Sequence, residues 1–129
     1  MPGTYGTIER TLRHIVGAEQ GYLLAITGEP PADGVRVTPE MTIPLDDLAA
    51  KEREVLERCE RVLAAPFDPA RTVTRPRVTA TAGIVLAQLV HHGSDHRAHV
   101  GTILGSHGVQ PPDLDLWAYG GSLGLVKRT

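Results

Sequence analysis

The sequence is short of cysteine, aromatic residues and lysine, and it has no long apolar run. One cysteine in 129 residues, Cys59, cannot close an intramolecular disulfide, which excludes a small secreted scaffold held by disulfides. Five aromatic side chains (Tyr5, Tyr22, Phe67, Trp117, Tyr119) are too few for a platform on which bases stack. The 13 Lys and Arg against 15 Asp and Glu give −2 at pH 7, with a pI near 6.3, so the basic footprint of a nucleic-acid binder is missing. The longest stretch without a formal charge, Val78 to Ser94, carries Thr79, Thr81, Gln88, His91 and His92 and is too short and polar to span a bilayer. The first residues, Met1-Pro2-Gly3-Thr4-Tyr5, show no basic segment followed by an apolar run, so no signal peptide is read. The expectation is one soluble, cytoplasmic domain over residues 1–129, acting on a small molecule rather than on nucleic acid or a membrane.

What the sequence does have is helical periodicity and histidine. A first helix is expected from about Thr7, a plausible N-cap, to Thr27, with Gly28 and Pro30-Pro31 stopping it. Its apolar stripe is Ile8, Leu12, Ile15, Tyr22, Leu23 and Ile26. Glu19 falls inside that stripe, and His14 lies beside it among small residues that would let another helix approach. A loop from Gly28 to Ile43 follows, with a brief extended piece around Val35 and Val37. A second helix opens at Pro44 and reaches about Ala65. Asp46 and Asp47 lie in its favourable first turn, and Lys51, Glu54, Glu57, Arg58 and Arg61 read as a solvated face. The stretch from Arg71 to Arg77 reads as irregular. A third helix runs from about Thr81 to His107, about 40 Å long, with Gly108 just beyond its end. The tail from Asp113 to Thr129 is expected to form a short helix that packs Trp117 over a bundle end. The fold class is therefore all-α, an up-down bundle of three long helices plus a short C-terminal segment.

Six histidines are present, and four of them (His91, His92, His96, His99) fall within nine residues. The stripe of the third helix reads Val85, Leu89, His92, His96, His99/Val100, Ile103, so three consecutive inward positions of an apolar seam are imidazoles. A lone histidine on such a face is ordinarily a core residue with one hydrogen-bond partner. Two of them four residues apart lie one turn apart on one side and can aim at one metal. Buried unsatisfied imidazoles would cost about 1–3 kcal/mol each, which a metal removes. Gly93 after His92 excludes the metalloprotease helix, which needs Glu there. No Glu-x-x-His pair occurs, so a di-iron bundle is excluded. A structural zinc site would want more thiolates than Cys59. An open site of two or three imidazoles suits Zn²⁺ or Ni²⁺. Candidates for the third ligand are His14, His99 and Glu19. His92, His96 and His99 span about 10 Å along one helix and cannot all converge, which leaves His14 as the only histidine on another helix.

These residues resemble the DinB/YfiT-like superfamily of metal-binding helical bundles. The likeness is carried by Leu12-Arg13-His14-Ile15-Val16-Gly17-Ala18-Glu19, by His92-Gly93-Ser94-Asp95-His96-Arg97 and by Gly108-Val109-Gln110-Pro111-Pro112, and it extends from about Pro2 to Tyr119. It implies a metal held by His14, His92 and His96. Arg97 matches an arginine common in the family. Asp95 stands where relatives often have histidine, and is either a group orienting an imidazole or merely exposed. His99 stands where many relatives have Gln, and Glu19 is implied to be a buried polar or pocket residue. His99, Glu19 and Asp95 are thus the pocket candidates, with no catalytic residue assigned. Relatives usually carry a helix before the one bearing the first histidine. His14 lies so near the start that this helix is missing, and a homodimer is expected to cover the face it leaves.

Characterised relatives include transferases that use mycothiol, bacillithiol or glutathione, and some isomerases. The resemblance therefore implies a metal-dependent thiol S-transferase with a low-molecular-weight thiol as second cofactor. The bias to Arg over Lys (11 against 2) is that of a GC-rich genome and makes mycothiol the first thiol to try. Two alternatives stay open: a metal-dependent hydrolase using a metal-bound water, and a non-enzymatic metal-binding stress-response dimer.

Overall fold

The computed structural model of the protein describes residues 3–127 and Thr129; Met1, Pro2 (where the likeness above begins) and Arg128 lie outside the described residues. The first helix, α1 (Ile8–Thr27), starts where the Thr7 hydroxyl accepts the Arg10 N–H at 3.2 Å. It ends at Gly28, whose left-handed φ of 76° lets its N–H reach the Leu24 carbonyl. The second, α2 (Leu45–Ala64), follows Pro44, which is the N-cap rather than the first helical residue. The third, α3 (Ala82–Ser106), is capped by the Thr81 hydroxyl, and a seven-residue α4 (Leu116–Ser122) is capped by Asp115. The chain is mainly helical, so the all-α expectation holds in broad terms, but a two-stranded sheet has to be added to it.

That sheet corrects the irregular reading of Arg71 to Arg77. Strands β1 (Thr72–Arg75) and β2 (Val78–Thr81) pair antiparallel, Thr72 opposite Thr81 and Arg75 opposite Val78, around a two-residue turn at Pro76-Arg77. Alternating Thr and Val supply the β-branched pattern, and Val73 points inward to join Ile26, Ala82 and Val85 in one core cluster. The Arg71 guanidinium donates to the Ile26 carbonyl at 2.7 Å, tying the strand entrance to the last turn of α1.

α1 is the central element. α2 and α3 both pack against it, and their side chains meet over it where Leu23, Val55 and Leu89 close a three-helix core. A third cluster, Val16, Val37 and Leu48, fixes the 28–43 segment. That segment forms no strand, yet it is clamped along its length. Gln20 Oε1 accepts the buried Val37 N–H at 2.8 Å, Arg36 donates to the Gly17 carbonyl at 2.9 Å, and Arg13 donates to the Pro39 carbonyl at 2.9 Å. From α2, Glu54 accepts the Ala32 N–H, Lys51 pairs with Asp33, and buried Arg58 donates to the Glu29 carbonyl. The expected solvated face of α2 is thus in large part the clasp of this segment. The expectation for Trp117 also changes. α4 forms but packs against none of the other elements among the described residues, and Trp117 is 71% exposed.

Candidate metal centre

The close packing of α3 on α1 brings together histidines separated by 78 residues of sequence. His14 Nε2 and His92 Nε2 lie 3.0 Å apart. With His96 they form a group whose ligand-capable nitrogens are all within 4.8 Å of one another. Nitrogens bound at about 2.1 Å to one tetrahedral ion stand about 3.4 Å apart, so these separations fit a shared ion with small ring movements. His92 Nδ1 is buried without a hydrogen-bond partner, which marks the ring as one whose satisfied nitrogen is the one facing His14.

Tyr5 roofs this cluster, and nothing in the sequence pattern singled it out. Its ring stacks on His14 at 4.0 Å between centroids, with the planes 14° apart, and meets His96 edge-on at 5.1 Å. Tyr22 meets His92 edge-on at 5.9 Å from the other side. His99 lies one turn along α3, with its Nδ1 3.3 Å from His96 Nδ1. If His96 donates there, its Nε2 keeps a lone pair.

The electrostatics favour neutral imidazoles. Burial, then the His96 charge and Arg10, lowers the pKa of His14. Burial, then His96 and His14, lowers that of His92 to about 4. Burial and His99 lower that of His96. All three rings therefore hold free lone pairs at neutral pH, the form a metal needs.

Glu19 is close in sequence to this cluster but is engaged elsewhere. It is 2% exposed, and Arg97, the residue after His96, donates to its Oε1 at 2.9 Å and to Glu52 Oε1 at 3.0 Å. Burial and then the neighbouring Glu52 carboxylate push the Glu19 pKa up to about 8. Gly93 leaves room for this bridge, since a Cβ there would stand 2.4 Å from Arg97 Nη1 and 2.7 Å from Glu19 Oε1. The same residue that excluded a metalloprotease helix thus has a packing reason of its own. Asp95 is exposed, and its carboxylate makes no hydrogen bond among the described residues, so it orients no imidazole through one, although its charge raises the pKa of His92 and His96. His91 and His107 are exposed. Cys59 packs against the core cluster of Leu23, Val55 and Leu89, where burial raises its pKa and keeps it a thiol.

Residues 5–100 match the DinB superfamily. The chain belongs to the DinB superfamily. This DinB match contains all three histidines of the cluster and the hairpin, and stops before the Gly108-to-Pro112 turn that also carried the sequence likeness. No curated protein matches the chain. No helix among the described residues is long and apolar enough to cross a membrane.

Proposed function

We propose that the protein is a metal-dependent thiol S-transferase in which His14, His92 and His96 hold Zn²⁺ or Ni²⁺ and a low-molecular-weight thiol is the second cofactor. One observation carries the reading: three neutral imidazoles from two helices converge to within 4.8 Å in a DinB chain. His14, His92 and His96 would hold the ion, and the chemistry it would supply is a lowered pKa for a bound thiol, so that the sulfur would be a thiolate at neutral pH. The thiolate sulfur would then form a bond to an electrophilic carbon as the bond from that carbon to its leaving group breaks. The leaving group departs with the electron pair, the thiol proton having passed to solvent. The thiol comes from outside the chain, because Cys59 is half-buried against the core cluster of Leu23, Val55 and Leu89 with a raised pKa. Tyr5 holds the His14 ring by stacking on it, and His99 fixes His96 through the Nδ1 contact.

A hydrolase on the same histidines would need a general base. Glu19 is committed to Arg97 and Asp95 is exposed, which leaves His99 for that alternative. A non-enzymatic metal-binding dimer would keep the metal and turn over no electrophile. We also propose a cytoplasmic homodimer, on the ground that α4 leaves an apolar face uncovered.

Elemental analysis of protein purified without a histidine tag tests the metal centre. The expected content is about one equivalent per chain, lost on His92→Ala. An unchanged content in that variant would overturn the ligand set. In Co²⁺-loaded protein a thiol is expected to change the visible spectrum. If none of mycothiol, bacillithiol or glutathione does so, the transferase reading is abandoned.

A further inference from the structure

Beside the histidines lies a second feature that the metal reading does not use. A cleft of about 660 Å³ opens between the hairpin and α3, lined by Tyr22, Ala80, Ile84 and Val85 and by three arginines, Arg36, Arg75 and Arg77. Its size suits a ligand of tripeptide dimensions. Three facts about these arginines bear on what it takes.

They converge. Nη2 of Arg36 and Nη2 of Arg75 stand 2.5 and 3.2 Å from the point where a Cβ on Gly21 would sit, so the two guanidinium groups are within about 6 Å of each other. Gly21 is what lets both lie flat over α1. They are also uncompensated. None of the three pairs with a carboxylate among the described residues, although the chain has more acids than bases. Arg36 donates one nitrogen to the Gly17 carbonyl and Arg75 lies over the Tyr22 ring at 4.9 Å, which orients both groups without neutralising them. Arg77, finally, is held at a cost. Its φ of 89° is the only positive value outside glycine among the described residues, at a turn position that ordinarily takes Gly or Asn.

The cleft adjoins the histidine cluster through one ring. The Tyr22 ring carries Arg75 at 4.9 Å and also meets His92 edge-on at 5.9 Å. Gln88, which also lines the cleft, is one turn of α3 before His92.

We propose that the Arg36–Arg75–Arg77 cleft is the carboxylate-binding subsite of the metal centre, so that the thiol used here is an anionic one bearing carboxylates. Planar guanidinium groups match carboxylates in charge and geometry, and bringing an anion between two of them relieves their mutual repulsion. The apolar wall of Ile84, Val85 and Ala80 takes the uncharged part of the ligand, and Tyr22 guides its sulfur toward His92. A nucleic acid is disfavoured by the net charge of −2 and the scarcity of aromatics. Glutathione has the required carboxylates and a neutral thiol such as mycothiol does not, so this inference rests on the thiol reading and changes its first choice of thiol.

Calorimetric titration with three probes separates the two ideas. S-methylglutathione keeps the carboxylates and blocks the sulfur; glutathione diethyl ester does the reverse; glutathione has both. S-methylglutathione is expected to bind metal-loaded protein and the His92→Ala variant alike. Its affinity is expected to fall about tenfold or more in Arg75→Gln/Arg77→Gln, and also in Arg77→Gln alone, a hairpin-tip change that leaves the core untouched. Binding that is equal in these variants, or equal for the ester, or absent altogether, would overturn the subsite. If S-methylglutathione binds as expected while glutathione leaves the Co²⁺ spectrum unchanged, the subsite stands and the thiol reading falls. If thiols change that spectrum with the same affinity in the arginine variants, the thiol reading stands and the subsite falls.

Discussion

At the scale of single residues, the Glu19–Arg97–Glu52 bridge is the least expected arrangement. Two carboxylates share one guanidinium, and the second oxygen of each is buried without a partner. The raised Glu19 pKa describes a carboxyl that keeps its proton at neutral pH beside the Glu52 carboxylate. The sign of the pH effect follows. A folded-state pKa raised from 4.5 to about 8 contributes stability that is fully present below 4.5 and is lost as pH rises through 8. Gln is the neutral isostere of protonated Glu and cannot lose that proton. Glu19→Gln is therefore expected to come close to the wild type near pH 5 and to exceed it by about 4 kcal/mol near pH 8. Parallel urea titrations at the two pH values measure the difference, in which the histidines common to both proteins cancel. A wild type that keeps its full stability relative to the variant up to pH 8 would show that Glu19 is ionised throughout. Sequence alone placed Glu19 on the apolar stripe and made it a pocket candidate. Glu52, which raises its pKa, lies 33 positions away on another helix, so the bridge was legible only once α1, α2 and α3 were packed.

At the scale of elements, the helices were legible and what joins them was not. Thr7, Gly28, Thr81 and the Gly108 position announce helix ends through capping chemistry that acts within a few residues, and the helix bounds follow it closely. The hairpin has equally local Thr and Val alternation. Its turn, however, is Pro76-Arg77 where Asn-Gly or a glycine would have announced a two-residue connection. The 28–43 segment is a further case. Its order comes from α1 and α2 side chains, and no periodicity of its own encodes it. Gly17 is the tightest point of that contact, since a Cβ there would stand 2.1 Å from the Val37 carbonyl oxygen. A backbone oxygen cannot swing aside as a side-chain tip can. Gly17→Ala is expected to displace the segment and cost about 1–3 kcal/mol, read as a lower urea midpoint together with faster amide exchange at Val37. Exchange at Val37 that matches the wild type would refute the clamp. The histidine pair His92 and His96 was legible from spacing on one helix. His14 needed the elimination of ligands too far along α3, and Tyr5 had no signal at all, because stacking on His14 depends on where the chain before Thr7 turns back.

At the scale of the whole molecule, the question is what covers α4. Leu116, Trp117, Tyr119, Leu123 and Leu125 are all more than half exposed, Leu116 at 82%, and α4 rests on no other element among the described residues. Scattered exposed apolar residues are ordinary, but five within ten positions of one short helix and its exit are a concentration of the kind that marks an association surface. A helix of seven residues has little stability of its own, so its order is expected to depend on packing against a second copy. Trp117 is the only tryptophan of the chain and lies within the patch, so its fluorescence reports on that face directly. Sedimentation equilibrium at micromolar concentration is expected to give a dimer, with Trp117 emission shifted to the blue of a solvated indole. Leu116→Glu, an exposed change with no core partner to lose, is expected to give a monomer with red-shifted emission and an unaltered metal content. A wild type that sediments as a monomer and emits as solvated indole would remove the case for a dimer, and would leave the histidine centre and the arginine cleft as features of one chain acting alone.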